Sequence, residues 1–356
     1  MKKTVYTVLM LLALASCKKP GCTDPTALNY NEHAQQDDGT CNYNLPENIL
    51  PSIIETDMTL TNDVIWYLQG RTSVTYGATL TIQPGTIIKG EAGTGANASA
   101  LIIARGAKIM AQGTAEQPII FTSVADDIQP GQRHGSTLSS TISGLWGGVI
   151  VLGNAPISAA VEAMQIEGIP ASDANGLYGG SAETDDSGVL SYVSIRHGGA
   201  NIGEGNEING LTLGGVGSST IINNIEIVAN QDDGIEFFGG AVDVSNLLLW
   251  NIGDDCVDID QAYSGTVDNV LIIPGSVVDH ALEIDGGEGS WNDSFTLTNC
   301  EVAADTAQAH FRAAAQGYIT LFGNVNIEAD ADTDVLVDTL QSGIDHSAFN
   351  WTYYYD

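Results

Sequence analysis

The sequence predicts an all-β chain wound as a parallel β-helix, and three observations carry that expectation. The first is a recurring unit. Asn224 opens Ile225-Glu226-Ile227, Asn246 opens Leu247-Leu248-Leu249, Asn269 opens Val270-Leu271-Ile272 and Asn299 opens Cys300-Glu301-Val302, at intervals of 22, 23 and 30 residues. The second is strict alternation in the run that follows each turn: Ile235-Glu236-Phe237, Val257-Asp258-Ile259-Asp260, Leu282-Glu283-Ile284-Asp285 and Ala309-His310-Phe311-Arg312. A strand with this pattern sends Ile235, Val257, Leu282 and Ala309 to one face, and Glu236, Asp258, Glu283 and His310 to the other. The third is composition: 41 Gly, 7% aromatics and no helical periodicity fit short strands joined by tight turns. Coils that pack only on their neighbours let 356 residues form one solenoid, where a globular chain of that length would divide.

In chain order, residues 1–16 read as a secretory signal, with basic Lys2 and Lys3 and an apolar run from Val8 to Ala15 that is too short to span a bilayer. Leu14-Ala15-Ser16-Cys17 resembles a bacterial lipobox. The resemblance implies cleavage before Cys17 and its lipidation, and since no Asp follows Cys17 to retain it at an inner membrane, the expected anchor is in the outer membrane of a Gram-negative cell, with the exterior as the expected face. Residues 17–43 form a small module. An exported chain meets an oxidising compartment, so Cys22 and Cys41 are expected to pair, and closing a loop of that length contributes about 3 kcal/mol. Asp24, Asn29, Asn31, Asp37 and Asp38 crowd oxygen donors into this loop, either as a Ca²⁺ site or as turn formers. The module resembles a Cys-bounded spacer of Bacteroidetes surface proteins.

Residues 44–60 read as a linker and 61–356 as the β-helix. Leu80, Ile82, Gly85 and Ile88 recur 21 residues later as Leu101, Ile103, Gly106 and Ile109, as two successive coils would. Ile119 to Ser123 supplies a further strand after Pro118, where no ladder donor is lost. Residues 125–143 and 161–187 are polar excursions, with strand returning between them at 144–157 and after them at 189–195. Cys256 and Cys300 fall two coils apart, so both thiols are expected to be free. The closing Phe349-Asn350-Trp351-Thr352-Tyr353-Tyr354-Tyr355 is expected either to cap the last coil or to offer an aromatic platform for a sugar.

The formal charge is −33, and it falls to −35 once Lys2 and Lys3 leave with the signal. Beyond Arg133 the only Lys or Arg residues are Arg196 and Arg312. Such a surface disfavours nucleic acid, and Gly93-Thr94-Gly95 follows no nucleotide-binding pattern, so neither nucleic acid nor nucleotide is an expected partner. Adjacent coils lie about 4.8 Å apart. In register, Glu236, Asp258 and Glu283 therefore stack in one column continued by His310, with Asp260, Asp285 and Arg312 in a second. Stacked carboxylates repel. The repulsion is offset by a bridging Ca²⁺, by a shared proton as in an acid/base pair, or by solvent over an exposed ridge.

The strings TLTIQPGTIIKG, LIIARGAKIMAQGTAEQPIIFTS, GLWGGVIVLG, NQDDGIEFFGG and GDDCVDIDQAYSG resemble those of Bacteroidetes-type surface lipoproteins with a pectin-lyase-like right-handed β-helix. The likeness covers residue 64 onward and implies fold and surface location, with no particular reaction. NQDDGIEF, GDDCVDI, DHALEI and Arg312 also resemble the blocks of polygalacturonase-type glycoside hydrolases. That resemblance implies acid/base roles for Asp232 or Asp233, Asp254 and Asp255, a tuning role for His280, and an Arg312 that holds a substrate carboxylate. The chain departs from the pattern where His280 lies between Asp279 and Ala281 instead of glycines, and where Ala314 replaces a Lys. The leading expectation is a surface protein binding glycan or divalent cations through Glu236, Asp258, Asp260, Glu283 and Asp285. The alternative is a polysaccharide-cleaving enzyme.

Overall fold

A computed structural model describes residues 19–23, 31, 33–36, 48–201, 208–289 and 291–356. The chain separates into two units, 1–47 and 48–356. In the first, Pro20 bridges Gln36 in parallel and Cys22 is buried. Asn31 Oδ1 accepts the His33 amide at 3.0 Å, which is turn chemistry. The expected signal peptide, the expected lipidation residue Cys17, and Asp24, Asn29, Asp37, Asp38 and Cys41 lie outside the described residues.

The second unit is a right-handed parallel β-helix. Its described strands fall into a ten-stranded and a thirteen-stranded sheet, both parallel throughout, with a two-stranded antiparallel hairpin outside them. No α-helix occurs among the described residues, only four 3-10 turns. Inward residues at alternate positions form one continuous apolar core that includes Leu80, Ile109, Leu190, Ile222, Val244, Val267 and Leu297, all but fully buried. Burying such a side chain stabilises by about 1.5–3 kcal/mol. Free Cys256 and Cys300 belong to this core, Cys300 paired in register with Val270.

The recurring asparagines have a different place from the one expected. They lie inside strands rather than at their openings: Asn224 within Ile221–Val228, Asn246 within Val244–Trp250, Asn269 within Thr266–Ile273 and Asn299 within Phe295–Val302. Each has a positive φ, between 53° and 59°, a conformation Asn tolerates better than most residues. The resulting bend folds the thirteen-stranded sheet lengthwise into two walls. Side-chain amides tie successive bends together, Asn246 Nδ2 donating to Asn224 Oδ1 at 3.2 Å and Asn269 Nδ2 to Asn246 Oδ1 at 2.6 Å. Tyr192, with φ 52°, occupies the same bend one coil earlier.

Three further expectations are corrected. The β-helix begins inside the expected linker, since Ile53–Ile54 and Met58–Leu60 are already strands of the two sheets. The 21-residue repeat joins different walls: Leu80 pairs with Ile109, 29 residues on, and Ile103 pairs with Val74. Finally, the C-terminal aromatics do not cover the last coil. Phe349 packs on Leu248 and Leu271, outward residues of the third wall, and the Tyr354 amide donates to Glu226 Oε1 at 3.2 Å. Leu248, Trp250, Leu271 and Ile273 form an apolar strip that needs cover. The end strands, Val325–Ala329 and Asp334–Thr339, carry Glu328, Asp334 and Asp338, charges that let a sheet edge stay in water.

Candidate functional site

The ten-stranded sheet positions the acidic residues. Thr212, Glu236, Asp258, Glu283, His310 and Glu328 are successive register partners across six strands. Their inward neighbours Ile235, Phe237, Val257, Ile259, Leu282 and Ile284 lie in the core, so these polar side chains project outward. A parallel column forms at the turns entering these strands. Asp233 Oδ1 accepts the Asp255 amide at 3.0 Å, and Asp255 Oδ1 accepts the His280 amide at 2.7 Å. Each carboxylate thus satisfies a backbone donor of the next coil. In the third column, Asp285 lies 3.5 Å from Arg312 Nε, while Asp260 Oδ1 accepts the Gln261 amide at 2.6 Å.

An outward column on a β-helix would ordinarily be solvated, as Glu328 is at the end of this one, but Thr212 and Glu236 are buried. The excursion after Leu152 lays Ile157, Ile166, Ile169 and Tyr178 over Ile102, Ile150, Leu152 and Phe238. Tyr178 packs on Phe238 with ring centroids 5.8 Å apart and donates to Gln261 Oε1 at 3.0 Å. Beside this cover lies a cavity of about 380 Å³, and every described residue lining it is acidic: Glu167, Asp232, Asp233, Glu236, Asp254, Asp255, Asp258 and Glu283. Asp233, Glu236 and Asp255 are only 8%, 6% and 3% exposed. Glu167, from the excursion, and Asn209, whose amide donates to Glu236 Oε2, belong to the site but were not anticipated. Neither lies on a repeating coil position; the only signal for Asn209 is a polar side chain two residues before Leu211-Thr212-Leu213.

Burial raises the Asp233, Glu236 and Asp258 carboxyls well above the usual range, and neighbouring carboxylates push them further. Asp255 is driven up to about 10, first by burial and then by its hydrogen bond to Glu283. Asp260 is raised to about 7, chiefly by burial. Glu283 goes the other way. Burial acts to raise it, but hydrogen bonds from Asp255 and Arg312 outweigh that and hold it low. Arg312 Nε donates to Glu283 Oε1 at 2.6 Å and its Nη2 contacts the same oxygen, so the guanidinium is committed to Glu283 and Asp285. His280 Nδ1 is 2.9 Å from Asp255 Oδ1, and its ring lies 5.8 Å from that of His310.

The donor set fits a hard divalent cation. Ligand atoms of Asp233, Glu236 and Asp258 lie within 4.8 Å of one another, as do those of Asp232, Asp233 and Asp254. Oxygens on opposite sides of a Ca²⁺ ion, each at about 2.4 Å, are about 4.8 Å apart. Asp258 Oδ1 is buried and has no hydrogen-bond partner among the described residues. An orphaned buried carboxylate oxygen costs free energy unless a cation or a proton reaches it.

A family model described as a pectate-lyase-like β-helix domain matches residues 52–329. No curated protein matches the chain significantly, and no solved structure does.

Proposed function

Because this chain belongs to the pectate-lyase-like β-helix family, a carbohydrate-related one, we propose that its acidic cavity binds a divalent cation, Ca²⁺ first among candidates, and through it a polysaccharide. The observation that carries this reading is a partly buried cavity lined, among the described residues, by carboxylates alone, one of whose oxygens, Asp258 Oδ1, lacks any partner among them. Asp233, Glu236 and Asp258 would hold the ion, with Asp232 and Asp254 at the mouth. The ion would supply positive charge where the only nearby guanidinium, Arg312, is already committed to Glu283 and Asp285, so that a negatively charged sugar can approach an acidic wall. Cys17 would carry the lipid anchor that displays the β-helix outside the outer membrane, with the Cys22–Cys41 module as its base. Calcium titration of the purified protein, followed by binding to uronate-containing polysaccharide with and without chelator, tests this. Saturable calcium binding and chelator-sensitive polysaccharide binding support it; no calcium response rules it out.

One observation favours a second reading, that of a polysaccharide-cleaving enzyme. Asp255, driven up to about 10 chiefly by burial, faces Glu283, which hydrogen bonds from Asp255 and Arg312 hold low, with His280 bonded to Asp255. Two carboxyls driven apart in this way can act as acid and base. Release of reducing ends or unsaturated products, abolished by Asp255→Asn, would establish turnover; none across a broad panel of pectic and algal polysaccharides would leave the binding protein.

A further inference from the structure

The geometry points to a second ligand site, for a neutral glycan, where the C-terminal segment crosses the bend of the thirteen-stranded sheet. A cavity of about 510 Å³ opens there, bounded by Tyr192, Asn224 and Asn246 on the bend and by Ser347, Asn350 and Trp351 on the segment. It lies on a different wall from the acidic cavity and shares no residue with it. Its volume is that of a small-ligand pocket.

Trp351 is 4% exposed, and its indole N–H, itself buried, finds no acceptor among the described residues. A buried donor of this kind costs free energy unless an acceptor reaches it. Backbone and aromatic contacts hold the ring in place. Trp351 meets Tyr192 edge-on at 5.4 Å, and Arg133 donates to the Trp351 carbonyl. What the site offers is therefore one unsatisfied donor, a half-buried tyrosine ring, and side-chain amides that can both donate and accept.

That chemistry selects the ligand class. Sugar hydroxyls supply acceptors for the indole N–H and exchange hydrogen bonds with amides, and the C–H face of a pyranose packs on an aromatic ring. An anionic sugar is disfavoured. The one cation at the cavity, Arg133, is already engaged by Asp356, 3.6 Å from its Nε, and Glu116 is a further wall residue. The occupant is a neutral glycosyl unit, held independently of calcium. A neighbouring cavity of about 490 Å³ shares Asn246 and Ala348 with this one and continues along the asparagine ladder, where further units of a chain would extend.

The test follows the five Trp indole resonances of the ¹⁵N-labelled full protein in chelator, the Trp351 signal being assigned by its loss in Trp351→Phe. Neutral gluco-, xylo- and manno-oligosaccharides are titrated to tens of millimolar. The expected result is a saturable shift of the Trp351 resonance with at least one neutral series. Followed by calorimetry, since its own indole resonance is gone, Trp351→Phe, which keeps an aromatic side chain and removes the donor, weakens that binding about tenfold, as loss of one hydrogen bond of about 1.4 kcal/mol requires. Tyr192→Asn abolishes it while preserving the fold, since Asn suits the positive φ that Tyr192 adopts. The inference is overturned by no Trp351 shift with any neutral series, by a shift that Tyr192→Asn leaves unchanged, or by binding that appears only when calcium is added. The last outcome would assign the glycan to the acidic cavity, and failure here leaves the calcium titration of that cavity untouched.

Discussion

Asp258 concentrates the account at the scale of one residue. It stands between Glu236 and Glu283 in register, one of its oxygens is buried without a partner among the described residues, and its neighbours on every side are acidic. In the cation-free protein this arrangement makes stability fall as pH rises. The folded-state pKa values of Asp233, Glu236, Asp258 and Asp260 exceed those of an unfolded chain, so the native state holds more protons between about pH 4 and the folded values. Their carboxyls cost nothing below about pH 4 and destabilise progressively as pH rises from there toward each folded value, the Asp260 contribution being complete near pH 7. Melting temperature in chelator should therefore decline from pH 5 to pH 8, and saturating calcium should remove the decline; a rise with pH in chelator would contradict the assignment. Arg312→Ala should act on Glu283, removing one of the hydrogen bonds and the charge that help hold it low, so that its carboxyl rises toward that of Asp255. If the site is catalytic, the pH profile of turnover shifts in the variant; if it only binds, calcium affinity changes by less than it does on altering Asp258. The outward column of Glu236, Asp258 and Glu283 could be read from alternation and repeat length. Glu167 could not, because it reaches the cavity from an excursion whose length and path no repeat specifies.

At the scale of elements, the asparagine bends decide which residues face which wall. Asn246→Ala removes two ladder hydrogen bonds and places a residue with no local side-chain bond in the left-handed region, at a cost of about 1–2 kcal/mol for the conformation alone. Asn246→Gly relieves the conformational part and should destabilise less, which denaturant unfolding of both variants will check. Equal losses would mean that the bend is not conformationally selected. Here the sequence was legible in its period and misleading in its phase. Four asparagines at coil spacing marked the stack, yet an Asn before an apolar run looks the same whether it opens a strand or bends one. The early repeat failed for a related reason: Leu80-Thr81-Ile82 and Leu101-Ile102-Ile103 present the same inward pair from different walls. Alternation distinguishes in from out, and carries no information about which of three walls a strand joins.

At the scale of the molecule, the solenoid is closed along its side and open at its charged end. Deleting residues 341–356 should uncover Leu248, Trp250 and Leu271 and leave Arg196 and Glu226 without Tyr353 and Tyr354. Lower melting temperature and increased binding of a hydrophobic dye are expected; unchanged melting would show that the strip needs no cover. The end cap was the natural expectation because aromatic residues close the chain, but apolar side chains go where apolar surface already waits. In this β-helix that surface is the third wall. The proposed anchor carries its own prediction: if Cys17 is lipidated, Cys17→Ala should move the protein from the membrane fraction to the soluble one. The central claim is that a wall of repulsive carboxylates is completed by a cation, and calorimetric titration of calcium into the wild type and into Asp258→Asn tests it most directly. At least one site is expected in the wild type that stabilises the fold by about 2.7 kcal/mol at a hundredfold excess over its dissociation constant, with that site lost or severely weakened in the variant. Calcium binding of equal affinity and stoichiometry in both proteins, or in neither, would contradict it.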